Sequence, residues 1–222
     1  MERTALVLGA TGLVGRQCVD LLLADPAWTV VRMVGRRHPD LDHPRLERVT
    51  LPIDAWTRRP DAFACDVAFC ALGTTIRQAG SREAFRAVDF AAPLAAARAA
   101  RERGASGFVL VSSTGASSAS RVFYLRVKGE LEDALKEMDF GSLTVLRPSL
   151  LLGRRSERRV GEAASGVVLA ILGPLLMGRL RRWRGVDACT VAAVMVAAAG
   201  TNGPPLRIIE SEEIGRWAGA SS

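Results

Sequence analysis

"LVLGATGLVGRQCVDLLL", residues 6–23, decides the fold. A short apolar run ends at Gly9, glycines recur at Gly12 and Gly15, and a helical pattern opens directly behind them. Backbone amides at a helix start can hold a pyrophosphate, and glycines let the backbone approach it closely. The G-x-x-G-x-x-G spacing alone is a weak signal. Placed between a strand and a helix in an alternating chain, it becomes a specific one. Gly9, Thr11, Gly12, Leu13, Val14 and Gly15 are therefore the expected cofactor-binding residues of this turn.

The rest of the chain repeats the alternation. Strands are expected at 4–9, 29–35, 46–51, 66–72, 107–112, 143–148 and 206–210, and helices at 13–24, 81–103 and 121–138. Near-continuous apolar strands between helices argue for a parallel sheet buried on both faces. The connection from 35 to 45 is too short for a crossover helix and reads as an irregular loop. The expected architecture is α/β: one Rossmann-like, doubly wound parallel sheet of about seven strands over residues 1–222. Helices should cover both faces, with residues 160–200 as a small C-terminal helical cap over the ligand crevice or an interface insertion.

Composition narrows the class. The chain has 222 residues, of which 49% are hydrophobic and 24% charged, an ordinary globular balance. Its four cysteines (Cys18, Cys65, Cys70, Cys189) show no paired metal-ligand spacing, so no metal is expected and free thiols are. Free thiols and an apolar start that leads straight into the glycine loop, with no signal peptide read, place the protein in the cytoplasm. The net charge of +7 does not by itself imply nucleic acid, because one tyrosine and no aromatic-studded basic strand leave nothing for bases to stack on. "GVVLAILGPLLMG", flanked by "RRSERR" (154–159) and "RLRRWR" (179–184), is too short to span a bilayer and is broken by Gly173 and Pro174. The 160–185 segment is thus expected to cap the site or meet another subunit, not to anchor in membrane.

Two further stretches carry chemistry. The second strand ends in "MVGRRHPD", so Arg36 and Arg37 stand where an acid would otherwise accept the ribose 2′-hydroxyl. Arginines there match a 2′-phosphate, which favours NADP(H) over NAD(H). Asp54, after the third strand, is expected at the adenine edge. In "VFYLRVKGE" (122–130) the sole tyrosine, Tyr124, lies four residues before Lys128, one of only two lysines. Residues i and i+4 share a helix face. An ammonium close to a phenol favours the phenolate, and such a tyrosine can exchange a proton with a carbonyl oxygen.

With the glycine loop and Y-x-x-x-K together, the chain resembles the short-chain dehydrogenase/reductase superfamily. More narrowly it is similar to the atypical members grouped with the Tat-interacting protein family, from about residue 4 to 165. "CALGTTIRQAG" (70–80), "FYLRVKGELE" (123–132), "VLRPSLLLG" (145–153) and R-x-E-x-R-x-G-E from Arg155 to Glu162 carry that likeness. The resemblance implies Tyr124 as acid/base and Lys128 as its partner and ribose ligand. It implies Leu72 and Gly73 passing over the cofactor, Leu151 bordering the nicotinamide, and Arg159 reaching back to the cofactor. Ser113 matches the hydroxyl that orients the carbonyl, with Ser112 and Thr114 as alternatives. Asp89 stands where many members have asparagine, so a proton relay through it is not expected. The implied activity is an NADP(H)-dependent oxidoreductase on a small, fairly apolar carbonyl or alcohol. The alternatives are an NADPH-holding regulator with a protein partner, or an epimerase or dehydratase of nucleotide sugars. A homodimer or a regulatory partner is the kind of assembly that fits.

Overall fold

The computed structural model describes residues 3–152, 185–199 and 204–220. Seven parallel strands form one sheet: β1 (Thr4–Leu8), β2 (Val30–Gly35), β3 (Leu46–Thr50), β4 (Val67–Cys70), β5 (Gly107–Val111), β6 (Ser142–Arg147) and β9 (Leu206–Glu210). Their order across the sheet is β3-β2-β1-β4-β5-β6-β9. All seven lie where the apolar runs place them. The chain turns back between β1 and β4, and such a switch point leaves a crevice at the carboxyl ends of the strands.

The inner strands are apolar on both sides because both faces are covered. On one face α1 (Leu13–Ala24) packs beside the helix Ala188–Ala199, through Cys18, Val19 and Leu22 against Val191, Val194 and Met195. On the other, α4 (Ala92–Glu102) and α5 (Phe123–Lys136) pack with the single-turn helices around Trp56 and Phe63. Residues 188–199, the last part of the expected C-terminal helical piece, lie in the helical layer of the sheet itself. The rest of that segment, and Arg159 with it, lies outside the described residues. A two-stranded parallel ladder, β7 (Leu151–Leu152) with β8 (Val186–Asp187), was not foreseen.

The helix read over 81–103 is three pieces: α3 (Arg82–Arg86), a π-helical turn (Ala87–Ala91), and α4. Pro93 explains the break. It has no N–H for the Asp89 carbonyl, and its ring crowds that group. The backbone widens instead, and the Ala92 N–H donates to the carbonyl of Ala87, five residues back. This turn puts Asp89 fully inside the protein.

Candidate active site

The glycine loop is built by close approach. Gly9 has φ +84°, and a Cβ there would sit 2.6 Å from the carbonyl oxygen of Ala71 at the end of β4. A Cβ on Gly15 would lie 2.2 Å from the carbonyl oxygen of Gly9, so α1 can rest on the loop only without a side chain. Gly12 is the N-cap of α1 and supplies no side-chain cap, and the first turn holds no acid. The N–H groups of that turn cannot be used by the helix itself, and they carry its positive end. These features fit a pyrophosphate.

The loop forms one wall of a cavity of about 510 Å³ at the switch point. Gly9, Thr11, Gly12, Leu13, Arg36, Arg37, Leu72 and Gly73 all line it, as expected. Val14 and Gly15 do not; they are buried behind the loop, where they fix it. Asp54 is exposed and outside the lining, and its neighbour Ile53 faces the cavity together with Trp56. The single-turn helix Ile53–Arg58 directs the apolar side chains inward and leaves the carboxylate in water. Trp56 was missed because an isolated tryptophan in a polar stretch gives no periodic signal.

Arg36 and Arg37 are exposed, and neither forms an ion pair among the described residues. Behind them, His38 is held below the usual histidine range by burial and by the Arg48 charge, against the opposing pull of a Val49 backbone hydrogen bond. It therefore adds little positive charge at neutral pH.

Tyr124 and Lys128 are not among the residues that line this cavity. Lys128 is 3% exposed, and its ammonium lies 2.8 Å from Oδ1 of Asp89. The contact has the length of a charge-assisted hydrogen bond. Oδ2 accepts the Thr74 N–H at 2.9 Å. Burial pushes Lys128 down, but Asp89, Tyr124 and Cys70 together outweigh it, and the net direction is upward. A Cβ on Gly73 would stand 3.7 Å from the Lys128 ammonium and 3.6 Å from Asp89 Oδ1. The cavity floor and the lysine are thus adjacent. Tyr124 is half-buried, with its ring 5.7 Å from that of Phe85.

The three candidate hydroxyls separate cleanly. Ser112 donates to the Glu132 carboxylate, and Thr114 donates to the carbonyl of Arg147 at 2.9 Å. Both are buried and committed. Ser113, half-buried between them, is the one whose hydroxyl has no such partner among the described residues. Leu151, in β7, packs against the α1-side core.

Gly129, next to Lys128, fixes α5. A Cβ there would fall 2.2 Å from the Ser117 carbonyl carbon, so the 117–118 backbone lies directly on the helix. Gly129→Ala should lower stability by about 1–3 kcal/mol or more, the usual cost of overpacking. Unchanged thermal unfolding would show that the loop yields freely.

Fold and loop define a Rossmann-type nicotinamide-dinucleotide protein with the short-chain dehydrogenase/reductase architecture. The chain belongs to the NAD(P)H-binding family, whose profile matches residues 9–167. It is 36% identical over 208 residues to Protein FMP52, mitochondrial, of Coccidioides immitis, covering 88% of this chain and 85% of that one. The Aspergillus fumigatus protein of the same name is 33% identical over 233 residues, covering 99% of each. These relatives fit the atypical short-chain group.

Solved structures agree on the fold. A short-chain dehydrogenase family protein from Francisella tularensis superposes with TM-score 0.74 at 13% identity, over 96% of this chain and 99% of that one. UDP-glucose 4-epimerase from Thermotoga maritima gives 0.70 at 18%, over 93% of this chain and 76% of the enzyme. The cytoplasmic placement is corrected by the names of the FMP52 relatives, which are mitochondrial. Unpaired cysteines do not distinguish one reducing compartment from another. Among the described residues no helix is long and apolar enough to cross a membrane.

Proposed function

We propose that the protein is an NADP(H)-dependent oxidoreductase that interconverts a small, largely apolar carbonyl compound and its alcohol. The observation that carries this reading is the meeting of the Lys128 ammonium with the cavity floor at Gly73, on the helix that also bears Tyr124. When bound, the nicotinamide supplies or accepts the hydride. Tyr124 then gives its hydroxyl proton to the carbonyl oxygen, or takes it back in the reverse direction. Ser113 holds that oxygen by hydrogen bonding. Lys128 holds the neighbouring ribose hydroxyls and keeps positive charge beside the phenol. Ile76 and Val122, 39% and 56% exposed on the segments beside the Phe85, Phe123 and Tyr124 rings, suit an apolar substrate.

Arg36 and Arg37 support the 2′-phosphorylated cofactor. NADPH should bind at least about tenfold more tightly than NADH, about 1.4 kcal/mol, within reach of one arginine–phosphate contact. Arg36→Ala/Arg37→Ala should erase that preference and leave NADH affinity unchanged. Calorimetry that finds equal affinities in the wild type would refute the NADP(H) reading. For the activity itself, a panel of aldehydes and ketones with NADPH is the direct test. Tight NADPH binding with no turnover across the panel would favour the regulator that holds NADPH for a protein partner.

A further inference from the structure

We propose that Asp89 is a positioning residue of the acid–base group: its buried carboxylate holds the Lys128 ammonium at the crevice floor and ties it, through the Thr74 amide, to the strand end beneath the cofactor. The inference rests on reading the crevice as a nicotinamide-dinucleotide site.

Three observations meet at this carboxylate. The π-helical turn forced by Pro93 carries Asp89 fully inside, at 0% exposure. One of its oxygens accepts from Thr74, the residue after Gly73, so the carboxylate is fixed to the loop that leaves β4. The other lies 2.8 Å from the Lys128 ammonium, and 3.6 Å from where a Cβ on Gly73 would stand. The carboxylate thus links the loop after β4 to α5.

The electrostatics require such a group. An isolated ammonium this buried gives up its proton in preference to staying charged. Three groups face Lys128: Asp89 from the π-helical turn, Tyr124 from its own helix, and Cys70 from β4. Burial raises the Cys70 thiol to about 11, so it is uncharged at neutral pH. Tyr124 is the group whose proton the reaction uses. Asp89 is left as the standing counter-charge. With it, Lys128 titrates above its usual value of 10.5. Without it, burial is the largest remaining influence, and it acts downward. An asparagine at this place would keep the shape and the acceptor for Thr74, but not the charge.

The chain offers an unusually clean test, because Lys128 and Lys136 are its only lysines. Selective ¹³C labelling of lysine gives two side-chain signals, and the half-exposed Lys136 serves as internal reference. In the wild type the Lys128 signal should stay in the charged form through pH 9. In Asp89→Asn the Lys128 signal should titrate about three pH units below its wild-type midpoint. NADPH affinity, followed by cofactor fluorescence, should be flat from pH 6.5 to 9 in the wild type. In Asp89→Asn it should fall by about tenfold over that range, as the charged lysine is lost. In a Lys128→Met background, adding Asp89→Asn should cause no further loss of affinity. A merely structural role for Asp89 predicts a loss that is equal at every pH and persists in that background. That result, or an Asp89→Asn protein whose Lys128 titrates as in the wild type, overturns the proposal. A wild-type protein that binds no nicotinamide dinucleotide overturns the crevice reading instead, and with it the catalytic meaning of the pair. The lysine signals would then still report whether Asp89 holds the charge.

Discussion

Tyr124→Phe should slow hydride transfer on an identified substrate by roughly 10²–10⁴, the usual share of general acid–base catalysis. The substitution removes one hydroxyl and keeps the ring, so the 5.7 Å contact with Phe85 survives. Cofactor affinity should hardly change, since the glycine loop and the two arginines carry most of that binding. Lys128→Ala should behave differently and weaken both turnover and NADPH binding. It also strands the Asp89 carboxylate in the interior, so its stability should fall as well. Single-turnover kinetics with saturating NADPH separate these cases. Full activity in Tyr124→Phe would remove the tyrosine from the mechanism.

The largest effect on stability is expected at Glu132. It is 1% exposed, accepts from the Ser112 hydroxyl, and receives Arg147 at 2.5 and 3.1 Å. Arg147 also donates to Glu210 of β9 at 3.0 Å. Hydrogen bonding to Glu132 is the leading reason the arginine is held above its usual range. One carboxylate therefore joins α5, β5 and β6, and through Arg147 reaches β9. Glu132→Ala leaves the partly buried guanidinium without its best partner. The loss should be about 3 kcal/mol, the lower end for breaking a buried pair, because Glu210 remains. For a domain of this size that corresponds to a fall in Tm of roughly 6–12 °C. A fall of less than about 2 °C in calorimetry would mean that water or Glu210 replaces the lost carboxylate in full.

The parts legible in the sequence share one property: their cause is local. The inner strands of the main sheet were visible as apolar runs, because strands covered on both faces leave no room for polar alternation; the edge strands β3 and β9 carry charges and are more exposed. The glycine loop was visible because close approach demands glycine. The pairing of Lys128 with Asp89 was not. It depends on a widened turn around Pro93 and on two elements that meet only in the folded chain. The aspartate was noticed as a departure from asparagine, but its function as a counter-charge has no linear signature. The same holds for the difference among Ser112, Ser113 and Thr114: only the folded chain commits Ser112 to Glu132 and Thr114 to the Arg147 carbonyl. Asp54 was misplaced because its strand end was read correctly while the following turn rotates Ile53 inward in its stead.

The position of β9 has a consequence for how the chain is made. Leu143 of β6 pairs with Leu206 of β9, and Arg147 reaches Glu210 across the same seam. During synthesis β6 emerges long before its outer partner exists, so its outer row of backbone donors and acceptors stays open while the rest of the sheet can already pair. An uncovered strand edge of this kind is a template for association with other chains. Parallel pairing between distant segments is also slow, because loop closure must precede any gain from the contact. The interval between translation of β6 and docking of β9 is therefore the period of greatest aggregation risk. Mutations that weaken the seam, Glu210→Ala among them, should lower soluble yield in the cell more than they lower the equilibrium stability of the finished protein.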